Sequence, residues 1–374
     1  MAFETTASAA GPRSDRARFA ATYGVLEDAI RHHTFPGCAF GVLAGGQVVL
    51  GDALGRFTYD PHSPAVSSAT VFDVASLTKV VATTAAAMLL YERGQLELDL
   101  PLAELLPAFV SGRAPGDPAR RITVRHLLAH SSGLPGYVEF FRAASTPEAL
   151  FDACLKLPLE AEPGTRAEYS DPGFILLGKA LETLTRESLA AWTAREIFQP
   201  LGLNRTLFCP PGTAHTAIPP TEMDETFRHR RIQGEVQDEN AFVLGGAAGH
   251  AGLFSCVPDL LRFAGEILSA ATEDDAIPAR IFCGKTIELF SRRQGPPGSS
   301  RALGWDTPSE NSSSGHHFSS HSIGHLGYSG CSLWIDLEAA IAVVLLTNRT
   351  WPRRESQKIR QVRPAFHDAV REAL

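Results

Sequence analysis

Phe72-Asp73-Val74-Ala75-Ser76-Leu77-Thr78-Lys79 is the stretch on which the fold and chemistry of this chain turn. An apolar, β-like lead-in runs into a helix rich in Ala and Leu that Gly94 stops. If Ser76 opens that helix, Lys79 follows on the same face, about 4.5 Å further along the axis. A serine hydroxyl is a poor nucleophile until a base takes its proton. A lysine amine can take it only when neutral, so its pKa must fall well below about 10.4 through burial or nearby positive charge. The free N–H groups of a helix start can also steady an oxyanion. Fewer than one Ser-x-x-Lys pair is expected by chance in a chain with only five lysines (Lys79, Lys156, Lys179, Lys285 and Lys358). The context adds weight to the spacing, because the helix is too apolar to be exposed.

Working outward, residues 16–33 show helical periodicity through Phe19, Tyr23, Leu26 and Ile30. Two β-like runs, 37–43 and 47–54, are joined by Ala44-Gly45-Gly46, a hairpin signal. From Leu96 to about Asn240 helical segments (124–130, 147–156, 173–185, 189–200) alternate with Pro- and Gly-rich loops at 111–119 and 209–220. Past Gly245 comes an amphipathic helix over 258–269, then a buried hairpin of strands 332–336 and 340–347 turning at 337–339. The Ser- and His-rich stretch 309–322 reads as a flexible loop, and 354–374 as a helix kinked at Pro364. β-rich segments therefore lie at both ends with a helical block between. The expected architecture is α/β (α+β), one domain from residues 16–95 plus 245–374 and a helical domain, 96–244, inserted into it.

Two further segments carry candidate chemistry. In Glu168-Tyr169-Ser170-Asp171-Pro172-Gly173, ahead of an apolar helix, Tyr169 could serve as a proton relay, and the bland alternative is a capped helix start. Asp171 reads as the N-cap there and Pro172 as the first helical residue. In His325-Leu326-Gly327-Tyr328-Ser329-Gly330 the glycines let backbone come close to a ligand. His325 could bind a carboxylate or aid proton transfer, and the bland alternative is a turn entering a strand.

Ser-x-x-Lys, Tyr-x-Asn and Lys-Thr-Gly, in that order, mark the penicillin-recognising serine enzymes. The chain resembles the branch holding penicillin-binding proteins, class C β-lactamases, DD-peptidases and β-lactamase-fold esterases. Ser76-Leu77-Thr78-Lys79 matches the first motif, and Tyr169-Ser170-Asp171 keeps the Tyr but has Asp for Asn. His325-Leu326-Gly327 stands in place of the third motif. The segments 126–135 (HLLAHSSGLP) and 249–255 (GHAGLFS) look familial too, and the similarity runs from about residue 18 to the end. The resemblance implies an antiparallel sheet flanked by helices, an inserted all-α domain and an active site between them. It also implies Ser76 as acylated nucleophile, Lys79 as proton acceptor and Tyr169 as shared base. The N–H groups of Ser76 and Tyr328 would form the oxyanion hole, with Asp171, His325 and Gly327 at the substrate. A largely neutral His325 and an added Asp171 make the site less positive than one for β-lactams. An ester or small amide is therefore the expected substrate, with β-lactams or peptidoglycan fragments, or a catalytically silent scaffold, as alternatives.

Bulk properties set the outer limits. At 374 residues, 44% apolar and 20% charged, the chain suits two interlocked domains of ordinary globular type. A net charge of −7 offers no basic footprint for nucleic acid. The N-terminal stretch lacks the basic start and apolar run of a secretory signal. The longest apolar candidates, 80–90 and 341–346, fall short of a membrane span. The six cysteines are scattered without a CxxC pair, so a cytoplasmic enzyme is expected, without cofactor or metal, acting on a small-molecule acyl substrate. Its oligomeric state is left open. His316, His317 and His321 lie in the polar loop and read as solvated, while His126 and His130 read as bracing groups. His250 is a candidate for a supporting role at the site. Gly284-Lys285-Thr286 is not a phosphate loop, since Ala279 stands where the first Gly belongs.

Overall fold

The computed structural model describes residues 16–272 and 281–374; the leader segment 1–15 and Ala279 lie outside them. The strands, in chain order, are β1 (Gly37–Ala44), β2 (Gln47–Gly55), β3 (Phe72–Asp73), β4 (Leu207–Phe208) and β5 (Glu222–Asp224). They continue with β6 (Arg230–Ile232), β7 (Leu253–Ser255), β8 (Ser322–Leu326), β9 (Ser332–Asp336) and β10 (Ile341–Thr347). Five of them form one antiparallel sheet in the order β2-β1-β10-β9-β8, so the two ends of the chain meet at the β1–β10 pair. Phe40 faces Leu345 across that pair, and Val42 faces Val343.

The central strands are buried on both faces, which is why they read as continuous apolar runs. Phe40, Val42, Val343 and Leu345 point to one side. There they meet Tyr23 and Leu26 of α1 (Ala20–Arg31) and Phe366 and Val370 of the C-terminal helix Ile359–Glu372. Ala39, Leu43, Val344 and Leu346 point to the other side, toward Val257, Leu261 and Ala264 of the helix Val257–Ala271. Gly41 sets how closely that helix sits: a Cβ there would lie 2.5 Å from Val257 and 2.8 Å from Leu261. The hairpin turns through Gly45 and Gly46, both left-handed at φ +55° and +74°, the backbone a tight primed turn requires.

The segment between Leu96 and Leu244 is a run of helices separated by loops and short strands, and most of its buried apolar residues join those behind Ser76 in one cluster. Several elements differ from the sequence reading. The C-terminal helix starts at Ile359, five residues later than expected, and Ser322–Leu326 is a strand where a loop was expected to end. That strand's Gly324 packs flat against the Trp334 ring, so side-chain alternation gave no signal. The helix Gly284–Ser291 and the short sheet β3-β7-β4 were also not foreseen, the latter because two or three residues carry no pattern. Among the described residues no helix is long and apolar enough to cross a membrane.

Candidate active site

Ser76 is the one accessible residue in an otherwise buried run from Phe72 to Leu90. Its presentation begins one residue earlier, where Ala75 is left-handed at φ +47°. That conformation costs a residue with a Cβ about 1–2 kcal/mol and persists only where neighbours impose it. Here Asp73 imposes it: its carboxylate accepts the Ala75 N–H at 2.8 Å and the Gln237 N–H at 2.7 Å. Thr78 donates its hydroxyl to Ala75 O at 2.6 Å and accepts the Leu253 N–H at 3.0 Å, tying the turn to β7. The chain opens as a tight 3₁₀ turn over Ala75–Leu77 and widens to a π turn over Lys79–Thr84. It becomes α-helical only at α2 (Ala85–Glu92). Such wide turns cluster at functional sites.

Lys79 is fully buried, and its ammonium group has three polar neighbours. Ser76 Oγ lies at 3.0 Å, His250 O at 2.9 Å and the Asp171 carboxylate at 2.7 Å. Burial by itself lowers the pKa of Lys79, but Asp171 and Tyr169 outweigh it and hold it above the ordinary value. The resting lysine is therefore an ammonium ion that donates to Ser76. Tyr169 reaches both partners with its hydroxyl, and its ring lies 4.9 Å from Lys79 Nζ. Burial raises the phenol above its usual range despite the opposing pull of Lys79, so the resting form carries its proton.

The α3 helix (Asp171–Thr185) delivers these groups with a different cap from the one expected. Ser170, not Asp171, is the N-cap, its hydroxyl accepting the Gly173 N–H at 3.1 Å. Asp171 thereby moves into the first turn, and its carboxylate is free to pair with Lys79. His130 stacks on Tyr169 and Phe174 with ring centres 4.7 and 4.9 Å away, and its Nδ1 accepts the Ser170 N–H at 3.0 Å. His325 lies on the other side of Tyr169, ring centres 5.8 Å apart, and its Nδ1 faces Leu326 O at 2.9 Å. A carbonyl only accepts, so His325 carries its proton on Nδ1 and presents a bare Nε2 lone pair. Burial, then the charges of Lys79 and Arg301, hold both histidines well below their ordinary pKa. Neutral His325 thus carries an acceptor nitrogen and no charge with which to hold a carboxylate.

Tyr328 and Gly327 sit on the turn between β8 and β9. The close approach that Gly327 permits is to the chain itself, since a Cβ there would lie 2.5 Å from Val74 O. Ser329 donates to Asp73 O at 2.8 Å, so the turn is fastened beside the Ser76 segment. No acceptor engages the Tyr328 N–H among the described residues.

Sequence reading missed two groups here and underrated a third. Arg301 holds its guanidinium 5.2 Å from the Tyr169 ring centre, and a lone Arg in a loop gave no signal. Asp238 caps a short helix and pairs with His250 Nε2 at 2.9 Å; although burial opposes it, that pairing holds its carboxyl down to about 2. His250 acts by main chain, giving its carbonyl to Lys79. The Gly-rich loop around it was the available hint. His316, His317 and His321 each pair with a different carboxylate, those of Asp368, Glu372 and Glu338, and His126 closes a capping box with Thr123.

Comparison with known proteins identifies the family. A family model described as Beta-lactamase matches residues 24–365. An N-acetylmuramyl-L-alanine amidase of Bacillus subtilis (strain 168) is 32% identical over 84% of this chain and 77% of its own length. A putative D-alanyl-D-alanine carboxypeptidase of Salmonella typhi is 28% identical, covering 77% of this chain and 71% of its own. Among solved structures, EstCE1, a hydrolase with promiscuous acyltransferase activity, superposes with a TM-score of 0.73 at 25% identity, over 94% of this chain and 99% of its own.

Proposed function

The chain belongs to the beta-lactamase family, and on that premise we propose a serine hydrolase that works through an acyl-enzyme on Ser76, with small carboxylic esters or amides as substrates. One observation carries the reading: an accessible Ser76 hydroxyl 3.0 Å from a fully buried Lys79, with the Tyr169 hydroxyl in reach of both. Catalysis begins when the Lys79–Tyr169–Asp171 cluster has lost one proton. Lys79 then accepts the Ser76 proton as Oγ bonds to the substrate carbonyl carbon. The tetrahedral oxyanion takes hydrogen bonds from the Ser76 and Tyr328 N–H groups. Tyr169 passes a proton to the departing alcohol or amine and is refilled from Lys79. Water then attacks the acyl-enzyme, loses its proton to the same pair, and Ser76 leaves reprotonated.

A p-nitrophenyl ester should give a burst of p-nitrophenol that Ser76→Ala lacks, with one acyl group on Ser76 by mass spectrometry. Folded protein left unlabelled at Ser76 by an active-site-directed phosphonate would sink the proposal.

A second reading, an amide in a peptidoglycan fragment, has one observation in its favour. The Arg301 side chain makes no hydrogen bond among the described residues and only a 3.8 Å ion contact with Asp306, leaving its donors for an anionic substrate group. The amidase and carboxypeptidase relatives support it by their names. Turnover of N-acetylmuramyl-L-alanine set against a short-chain ester and nitrocefin separates these substrates. Six unpaired cysteines, four of them buried, support a reducing, cytoplasmic setting.

A further inference from the structure

Arg363 is an expensive residue that the chemistry above does not use. It projects from the C-terminal helix into the protein, is 7% exposed, and pairs with no carboxylate among the described residues. An unpaired charge in a protein interior is costly unless hydrogen bonds replace its water. All of its partners are main-chain carbonyls at one turn: Gly327 O at 2.6 Å, Cys331 O at 2.8 Å and Gly330 O at 3.2 Å. A second buried arginine completes the pattern. Arg349 donates Nε to Tyr328 O at 2.8 Å and its own N–H to Ser329 O at 2.9 Å, where Thr347 also donates at 2.9 Å. Four consecutive carbonyls, from Gly327 to Gly330, are thus all held by hydrogen bonds.

The consequence concerns a single peptide unit. Gly327 C=O and Tyr328 N–H belong to the same amide, and a donor on the oxygen draws electron density from the nitrogen, making its N–H a stronger donor. Here the nearer of two donors on that oxygen is a cation at 2.6 Å, the other being the Gly330 N–H at 3.0 Å. Burial lowers the Arg363 pKa only to about 10, so the group stays charged at neutral pH.

We propose that Arg363 is a positioning residue that orients and polarises the Gly327–Tyr328 amide as an oxyanion donor, with Arg349 holding the next carbonyl of the turn. The inference rests on the reading of Ser76 and Tyr328 given above. Oxyanion stabilisation is worth more in the transition state than in the ground state, so the effect belongs to kcat and not to KM.

The test compares wild type, Arg363→Gln and Arg363→Lys in turnover of p-nitrophenyl butyrate and in inhibition by phenylboronic acid, whose tetrahedral adduct on a serine resembles the oxyanion. Folding is checked by circular dichroism and labelling of Ser76 by phosphonate. Arg363→Gln should lose kcat by roughly 10- to 100-fold with KM within about twofold, and its phenylboronate Ki should rise by a matching factor. Arg363→Lys, which keeps the charge but not the fork, should fall between. A folded Gln variant with wild-type kcat and Ki, or one whose loss appears in melting temperature or KM alone, overturns the proposal. If the Gln variant does not fold, the Lys variant decides, and wild-type kcat and Ki in it are equally fatal. Wild-type protein that is neither acylated nor labelled at Ser76 would instead bring down the reading of the site, and this inference with it.

Discussion

Asp171 stands where the related motif carries Asn, and a carboxylate there changes what Lys79 is. At 2.7 Å it pairs with an ammonium that burial would otherwise push toward the neutral form. Tyr169, the other titrating neighbour, is held neutral, while His130 and His325 are uncharged and Asp238 adds negative potential from the far side. The base therefore becomes available only as pH rises and the cluster loses a proton. Removing the Asp171 charge should lower the Lys79 pKa. Free amine then exists at lower pH, so in Asp171→Asn the acidic limb of the kcat/KM profile should move down. An unmoved limb would show that Asp171 does not set the base. The residue types at this site were legible in the sequence, because Ser76, Lys79 and Tyr169 sit in short local patterns. Their charge states were not, since those depend on neighbours as distant as Asp171 and His250.

At the scale of elements, the strands were the most legible part and the turns that aim residues the least. β1 and β10 are apolar throughout because helices cover both faces, and the Gly45-Gly46 turn carries its own chemistry. The segment from Ala75 to Thr84 reads as ordinary helix, yet it is a strained residue, a tight turn and a wide turn in succession. Nothing in its composition requires this; the hydrogen bonds that Asp73 and Thr78 accept from distant segments do. Packing between elements gives a stability prediction. Gly41 lets the helix Val257–Ala271 approach β1, and a Val side chain there would enter Val257 and Leu261. Gly41→Val should cost about 1–3 kcal/mol, read as a lower urea midpoint at unchanged slope. An unshifted midpoint would mean that the helix and sheet yield without cost.

For the molecule as a whole, buried titratable groups couple stability to pH. Burial keeps His130, His325 and His367 neutral, and His367 is lowered to about 3. In the unfolded chain each titrates near 6.5. Below that pH the unfolded chain takes up protons that the folded chain refuses, so stability falls by about 1.4 kcal/mol per pH unit for each histidine. Asp73 works in the opposite sense: burial raises its carboxyl to about 6, so between about pH 6 and 4 the folded chain binds the extra proton. The histidines outnumber it, and the urea midpoint should drop from pH 7 to 5. His367→Gln should flatten that slope by about one histidine's share; an unaltered slope would exclude His367 as a contributor. The sequence by itself determined the paired terminal segments, the run of helical segments between them and the side-chain types gathered around Ser76. Periodicity and short motifs are local properties, and local spacing is enough to carry them. Only the tertiary structure decided that Lys79 rests charged, that His325 is an acceptor, and that Arg363 grips the turn bearing Tyr328. Each of these is an electrostatic fact about residues tens to hundreds of positions apart, and charge and burial act through space and not along the chain.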